Sequence, residues 1–453
     1  MISVNKNGHD VALSKEDPDL IIEGGILIRM AEDEEPILDT TVYIAGGRIA
    51  RIQRADEKET IMGSQAELID ARGCIVMPGL INAHTHAAMT LFRGLADDLP
   101  LRQWLFEKIF PAEARFLNPD TVYWGSLLAS LEMISSGTTC FVDGYFFQDG
   151  TVRAAKESGL RGLIAQGVID FPAPGVEDPK ENIAAARRFV ERWLGSSELI
   201  TPGVFCHSPT TCSEQTLKAA LKLSQEFDLP LQIHLSETSQ EVSEITKRAG
   251  KRPVHYLDGL GLINPELIAV HAVHLDQEEL ECLREKGVRI VHTPESNMKL
   301  GSGTARISSM LKMGLTVGLG TDGCSSNNNL DLFQEMDTAA KLSKVTDLDP
   351  TSLDARAVLK MSTKWGAAVL GLEKEIGTIE EGKKADIIVV DLNSPHLCPL
   401  YDPFSAIVYS ADGADVKDVV VNGRVLMKDR QFTTLNPVEI MERVKDISKE
   451  IRL

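Results

Sequence analysis

The sequence has little of what marks several common protein classes. Its seven cysteines are scattered and include no CxxC pair. That excludes a Cys-based zinc site and argues against a disulfide framework, so each cysteine is expected to be a small, reduced, buried residue. No apolar run approaches the length that a bilayer-spanning helix needs. Positive charge is in deficit, with 47 Lys and Arg against 66 Asp and Glu and a net charge of −19. An acidic surface argues against nucleic acid or an anionic membrane as the main partner. Residues 1–10 have no long apolar core behind their basic side chains. No secretory leader is therefore expected, and the cytoplasm is the expected compartment.

What is present is an ordinary globular composition, 43% hydrophobic and 25% charged. The 453 residues exceed what one compact core usually carries, so a large and a small unit are expected. The start reads as short β-rich runs at residues 20–25, 41–47 and 48–52, with Gly-Gly pairs at the turns. Similar runs return at 385–391 and 416–426. One small β-sandwich domain built from residues 1–77 and 375–435 accounts for both sets; two unrelated β appendages is the alternative.

Between them strands and helices alternate. An apolar run, Cys74-Ile75-Val76-Met77, leads into Pro78-Gly79-Leu80-Ile81-Asn82-Ala83-His84-Thr85-His86. Further apolar runs end at Asp143, Asp170, His207, His234, His271, His292 and Asp322. Helical segments such as 213–227 and 276–286 separate most of them. Eight βα units predict a closed parallel (β/α)8 barrel over residues 78–374, with its active site at the C-terminal ends of the strands. The tail, 436–453, reads as a helix capped by Asn436, with Pro437 in its first turn and an apolar face of Ile440, Met441, Val444, Ile447 and Ile451.

His84 and His86 sit at i and i+2, so on an extended strand both point to one face. Alone, the pair reads equally well as two loop histidines. His234 and Asp322 fall at the same end of two other strands, and together the four supply three nitrogens and a carboxylate. That set suits one divalent ion, Zn or alternatively Fe, with room for a water whose pKa would fall to about 7. The fourth strand ends Phe205-Cys206-His207-Ser208-Pro209, without the lysine that bridges two metals in some barrel hydrolases, so one metal is expected. Glu237, three residues after His234, is placed to act as general acid/base, with a solvated loop carboxylate as its alternative. His271 could donate a hydrogen bond to the attacking water or to developing charge. His274 and His292 read as structural.

These residues resemble the amidohydrolase superfamily, and more narrowly its 5′-methylthioadenosine/S-adenosylhomocysteine deaminases and the related triazine hydrolases. The stretches that carry the resemblance are 78–86, His234-Leu235-Ser236-Glu237-Thr238, 296–303 and Gly318-Leu319-Gly320-Thr321-Asp322-Gly323. Residues 89–101, Trp104-Leu105 and Pro111-Ala112-Glu113 are similar to the deaminase branch in particular. The resemblance implies that His84, His86, His234 and Asp322 bind the metal. It implies that Glu237 and Asp322 move protons and contact substrate, and that His271 orients the attacking water. It also implies that Glu113 holds the ribose hydroxyls, that Trp104 lies against purine or ribose, and that His207 contacts the ring or ribose. The reaction so implied is hydrolytic deamination of the adenine ring of a small nucleoside, releasing ammonia. Relatives are often dimers or tetramers, so a homo-oligomer is expected.

Some relatives carry an arginine near the substrate's 5′ end, and none aligns to residues 170–179 here. This favours a small, uncharged 5′ group such as methylthio over homocysteine. The alternatives are a deaminase of a free base (guanine or cytosine), a triazine-type hydrolase, and a non-catalytic scaffold on the same barrel. A ribose-binding carboxylate such as Glu113 has no purpose with a free base.

Overall fold

The computed structural model describes residues 17–31, 35–54, 56–57 and 65–451; the reading of residues 1–10 lies outside them. Eight parallel strands form one sheet in chain order. They are β1 Leu80–Thr85, β2 Thr138–Tyr145, β3 Arg161–Val168, β4 Ile200–Cys206, β5 Leu231–Leu235, β6 Leu267–His271, β7 Arg289–His292 and β8 Val317–Leu319. The ends of the sheet meet just past β8, where the Asp322 amide donates to the carbonyl of His84 at 3.0 Å. Thr85 and Asp322 there form a parallel bridge. The barrel expected from eight βα units is therefore present and nearly closed.

The strand that leads into His84 is not the one the apolar run suggested. Cys74–Pro78 belongs to a separate seven-stranded sheet, paired antiparallel to Ile387–Asp391 and parallel to Ile26–Leu27. The chain then turns at Gly79 and begins β1. A Cβ at Gly79 would lie 2.1 Å from the Thr139 side chain, so only glycine lets the two strands succeed each other this closely. One uninterrupted apolar run thus serves two sheets, which periodicity cannot show.

The seven-stranded sheet is a middle layer. Ile387 and Val389 join an apolar cluster with Leu20, Ile22, Val42 and Ile44 of a four-stranded sheet, whereas Ile388 and Val390 join the barrel's outer core. Val76 and Ile75 divide in the same way, as do Val420 and Val419. Successive side chains point to opposite faces, and here both faces are covered. That is why these strands read as continuous apolar runs rather than alternating ones.

The last helix, Pro437–Ile451, buries Ile440, Val444, Ile447 and Ile451. It packs on the helix Pro119–Ser135 and the turn Ala87–Phe92. Met441, assigned to the buried face from sequence, is 42% exposed. It lies one position round from that stripe, towards solvent.

Candidate active site

His84 is the fifth residue of β1, and His86 follows one residue beyond the strand. Their outer nitrogens are fixed by neighbours. His86 Nδ1 lies 2.6 Å from the carbonyl oxygen of Gly144, which only accepts, so Nδ1 carries the hydrogen. His84 Nδ1 lies 3.1 Å from Gln232 Oε1, and Gln232 Nε2 donates to the carbonyl of Ala83, so that amide is oriented as well. Both Nε2 lone pairs therefore point inward. His84 Nε2 and His234 Nε2 stand 3.2 Å apart. Burial pushes the His84 imidazole down to about 4 and holds His234 well below its ordinary value. A cation held by both nitrogens would suit this pair, since neutral imidazole is the form that binds a metal.

Asp322 completes the group. Its Oδ1 lies 3.4 Å from His84 Nε2 and 3.2 Å from His86 Nε2. Ser296 and Ser326 donate to its other oxygen at 2.6 and 3.0 Å. Burial opposes the charge, and positive charge shared with the facing His84 and His86 nitrogens holds the carboxyl well below its usual range. Gly320, two residues earlier, runs against β1 so closely that a Cβ would lie 2.8 Å from the His84 amide nitrogen. One ligand atom from each of His84, His86, His234 and Asp322 lies within 4.8 Å of all the others. This donor set fits a single divalent ion in a borderline-hard N/O environment.

Glu237 stands beside this group, past the end of β5. Its Oε2 is 3.8 Å from His271 Nε2, and its Oε1 accepts from Ser302 at 3.1 Å. Burial raises its pKa, which suits a group that must both take and give a proton. The turn that carries it is held from beneath. Glu241 accepts the backbone amides of Ser236 and Glu237, each at 2.9 Å.

A cavity opens over these groups. Apolar side chains such as Met89, Trp104, Phe110 and Leu300 form much of its wall, a mixture typical of a small-molecule site. Glu113 lines it too and is almost fully buried, 2% exposed. Tyr145 donates to its Oε1 at 2.6 Å, and burial pushes its carboxyl up to about 7. Trp104 begins a π-helical turn, Trp104–Ile109, and its buried Nε1 has no partner among the described residues. His207 lies at the rim with Nδ1 2.9 Å from Thr211 Oγ1, and burial pushes its imidazole down to about 3.

Of the site residues expected from sequence, all but His84 line this one cavity, and His84 is buried beside His86, His234 and Asp322. Three strand-end residues do not line it. Asp143 accepts from the Ala87 amide and from Gln148, and so holds the turn after His86. Asp170 is taken up by Ser213, Thr216 and Asn182. His292 is absent from the cavity lining. Residues missed from sequence are Gln232, Tyr145, Glu241, Asn297 and Ser302. Two of them had a signal: Gln232 precedes His234 by two and Tyr145 follows Asp143 by two, so each shares a strand face with a residue already singled out.

A sequence model of the amidohydrolase family matches residues 75–426, and the chain belongs to that family. Within it, the chain is 48% identical to 5-methylthioadenosine/S-adenosylhomocysteine deaminase 1 of Syntrophus aciditrophicus, over 96% of this chain and 98% of that one. It is 45% identical to the 5′-deoxyadenosine deaminase of Methanosarcina mazei, again over 96% and 98%. The crystal structure of an adenosine deaminase from Xanthomonas campestris with bound zinc superposes with a TM-score of 0.93 at 36% identity, covering 96% of this chain and 99% of that one. A triazine hydrolase from Arthrobacter aurescens, at 22% identity and a TM-score of 0.88, shares the fold.

Proposed function

We propose that this chain is a metal-dependent deaminase of adenine nucleosides modified at the 5′ position: 5′-methylthioadenosine, S-adenosylhomocysteine or 5′-deoxyadenosine. The observation that carries the reading is one cavity that brings together two chemically distinct groups. His84, His86, His234, Asp322 and Glu237 form one, and the other is a buried carboxylate, Glu113, with one oxygen engaged by Tyr145. A carboxylate oxygen can accept hydroxyl hydrogens, so Glu113 suits the vicinal diol of a ribose. The names of the most similar relatives are those of enzymes acting on such nucleosides.

His84, His86, His234 and Asp322 would hold the ion, with zinc favoured by the three nitrogens and by the zinc-bound relative. A divalent ion there would bring the pKa of a bound water to about 7 and so supply a nucleophile at neutral pH. Glu237 takes a proton from the attacking water and gives it to N1 of the adenine. His271 orients that water. Asp322 helps to pass a proton to the departing amine, the C6–N bond breaks, and ammonia leaves with the inosine analogue as the second product. Trp104 and His207 bear on the ring and ribose. Among the described residues no helix is long and apolar enough to cross a membrane. The seven cysteines are free thiols, which accords with a reducing cytoplasm.

The test is the loss of adenine absorbance, with ammonia assayed in parallel, on a panel of zinc-loaded reactions. The panel holds the three modified nucleosides, adenosine, guanine, cytosine and a chlorotriazine. Turnover confined to nucleosides is expected, and their ranking identifies the 5′ group. Turnover of a free base or the triazine alone would overturn the substrate assignment.

A further inference from the structure

His271 faces the reacting centre through Nε2, but its chemistry is set at the other nitrogen. Nδ1 lies 2.8 Å from Thr293 Oγ1 and 2.9 Å from Asn297 Oδ1. An amide oxygen has no hydrogen to give, so the Asn297 contact requires the hydrogen to be on Nδ1. Thr293 can accept from the same N–H while directing its own hydrogen at Asn297 Oδ1, 3.4 Å away. With Asn297 Oδ1 facing the ring, the three groups are consistent with Nδ1–H, and the buried Asn297 Nδ2 is left without a hydrogen-bond partner among the described residues. All three are buried: His271 is 1% exposed, and Thr293 and Asn297 are 0%. The backbone holds the ring in place as well. His271 and Ala272 have φ of 71° and 51°, a conformation that non-glycine residues keep only where their surroundings enforce it. Asn297 itself lies within the helix Pro294–Lys299, and its backbone carbonyl accepts from the Ser302 amide at 2.9 Å.

We propose that Asn297, with Thr293, is a positioning residue that locks His271 in its Nδ1–H tautomer, so that Nε2 acts on the attacking water as a hydrogen-bond acceptor. The consequence reaches Glu237, whose Oε2 is 3.8 Å from that nitrogen. Two acceptors that close together suit a single water between them, donating one hydrogen to each. Both hydrogens are then pinned, and the water's lone pairs are directed elsewhere, towards the carbon under attack. An Nε2–H tautomer would instead donate to the water and compete for its lone pair. The inference rests on the deaminase reading for its catalytic meaning, but the tautomer itself is a property of the resting protein.

The experiment uses the full zinc-loaded chain labelled with 15N-histidine. The His271 ring nitrogens are read by NMR after assignment with a His271→Gln protein. A protonated Nδ1 and a bare Nε2 are expected. Turnover is then compared for Asn297→Asp, a near-isostere that can only accept, and Asn297→Ala. Asn297→Asp should keep the tautomer and a kcat within about threefold, whereas Asn297→Ala should lower kcat about 10- to 100-fold with KM and bound metal little changed. The reference case is the roughly 10,000-fold loss when a wrong histidine tautomer is imposed in a serine protease. Bare Nδ1 in the parent protein would overturn the proposal, and so would an Asn297→Asp protein as impaired as Asn297→Ala while retaining its metal. If no compound in the substrate panel turns over, the NMR result still decides the tautomer, so the two readings fail separately.

Discussion

Tyr145 gives its phenolic hydrogen to Glu113 across 2.6 Å, inside the same cavity that the candidate ligands His86, His234 and Asp322 line. The two come from different parts of the barrel: Tyr145 ends β2, and Glu113 lies on the short helix Phe110–Phe116. Burial pushes the Glu113 carboxyl up to about 7, and the Tyr145 contact pulls it back down. Only the charged form accepts freely from two ribose hydroxyls. KM for a nucleoside should therefore rise as pH falls through about 7, with kcat less affected. Tyr145→Phe removes a donor that favours the charge, so the same rise should begin at higher pH. Steady-state KM against pH for both proteins checks this, and identical profiles would remove Tyr145 from substrate recognition.

Glu237→Gln keeps the shape of the side chain and its contact with Ser302 but cannot carry a proton. kcat should fall by about 100- to 10,000-fold, the usual worth of a positioned acid/base group. Bound zinc should be unchanged. A variant with full metal and near-normal turnover would move the proton shuttle elsewhere.

Gln232 does not line the cavity and holds His84 from behind. Gln232→Leu releases the Nδ1 hydrogen bond of 3.1 Å and lets the ring turn. Metal affinity should drop about 10- to 100-fold, the range found when a ligand's outer partner is lost. Competition with a chelator, followed by metal analysis, measures it directly. Turnover in excess zinc should recover most of its value.

Arg161 and Asp386 join the start of β3 to the segment just before the strand Ile387–Asp391. Their side chains are 8% and 3% exposed and make two hydrogen bonds, of 2.9 and 3.1 Å. Asp386 also accepts the Asn422 amide at 2.8 Å. Asp386→Ala leaves a buried guanidinium and an amide without their partner, a loss of about 3–5 kcal/mol. Denaturant unfolding of the zinc-loaded protein should show it, while the kinetics of the surviving folded fraction stay near the parent's.

How much of this was legible in the sequence depends on how far apart the interacting residues lie. The eight apolar runs, and the His and Asp residues at their ends, are local features that follow from side-chain periodicity and strand length. The HxH pair is equally local, because two alternate residues on one strand must share a face. The break at Gly79 was not visible, because both strands it separates are buried on two faces and carry no alternation. The Met441 assignment failed for a related reason, since a helical stripe has edges that sequence alone does not fix.

By itself, the sequence determined the barrel and singled out four candidate ligands at one end of it. Only the tertiary structure decided which strand-end residues converge: it brought His207, His234, His271 and Asp322 to the cavity and left Asp143, Asp170 and His292 outside its lining. It also supplied the partners that give each group its state. Gly144 sets the hydrogen on His86, Gln232 that on His84, and Tyr145 engages one oxygen of Glu113. The physical reason is that a hydrogen bond between residues 32 to 148 positions apart leaves no periodic trace in the chain. It exists only once burial has removed water and fixed both partners within reach.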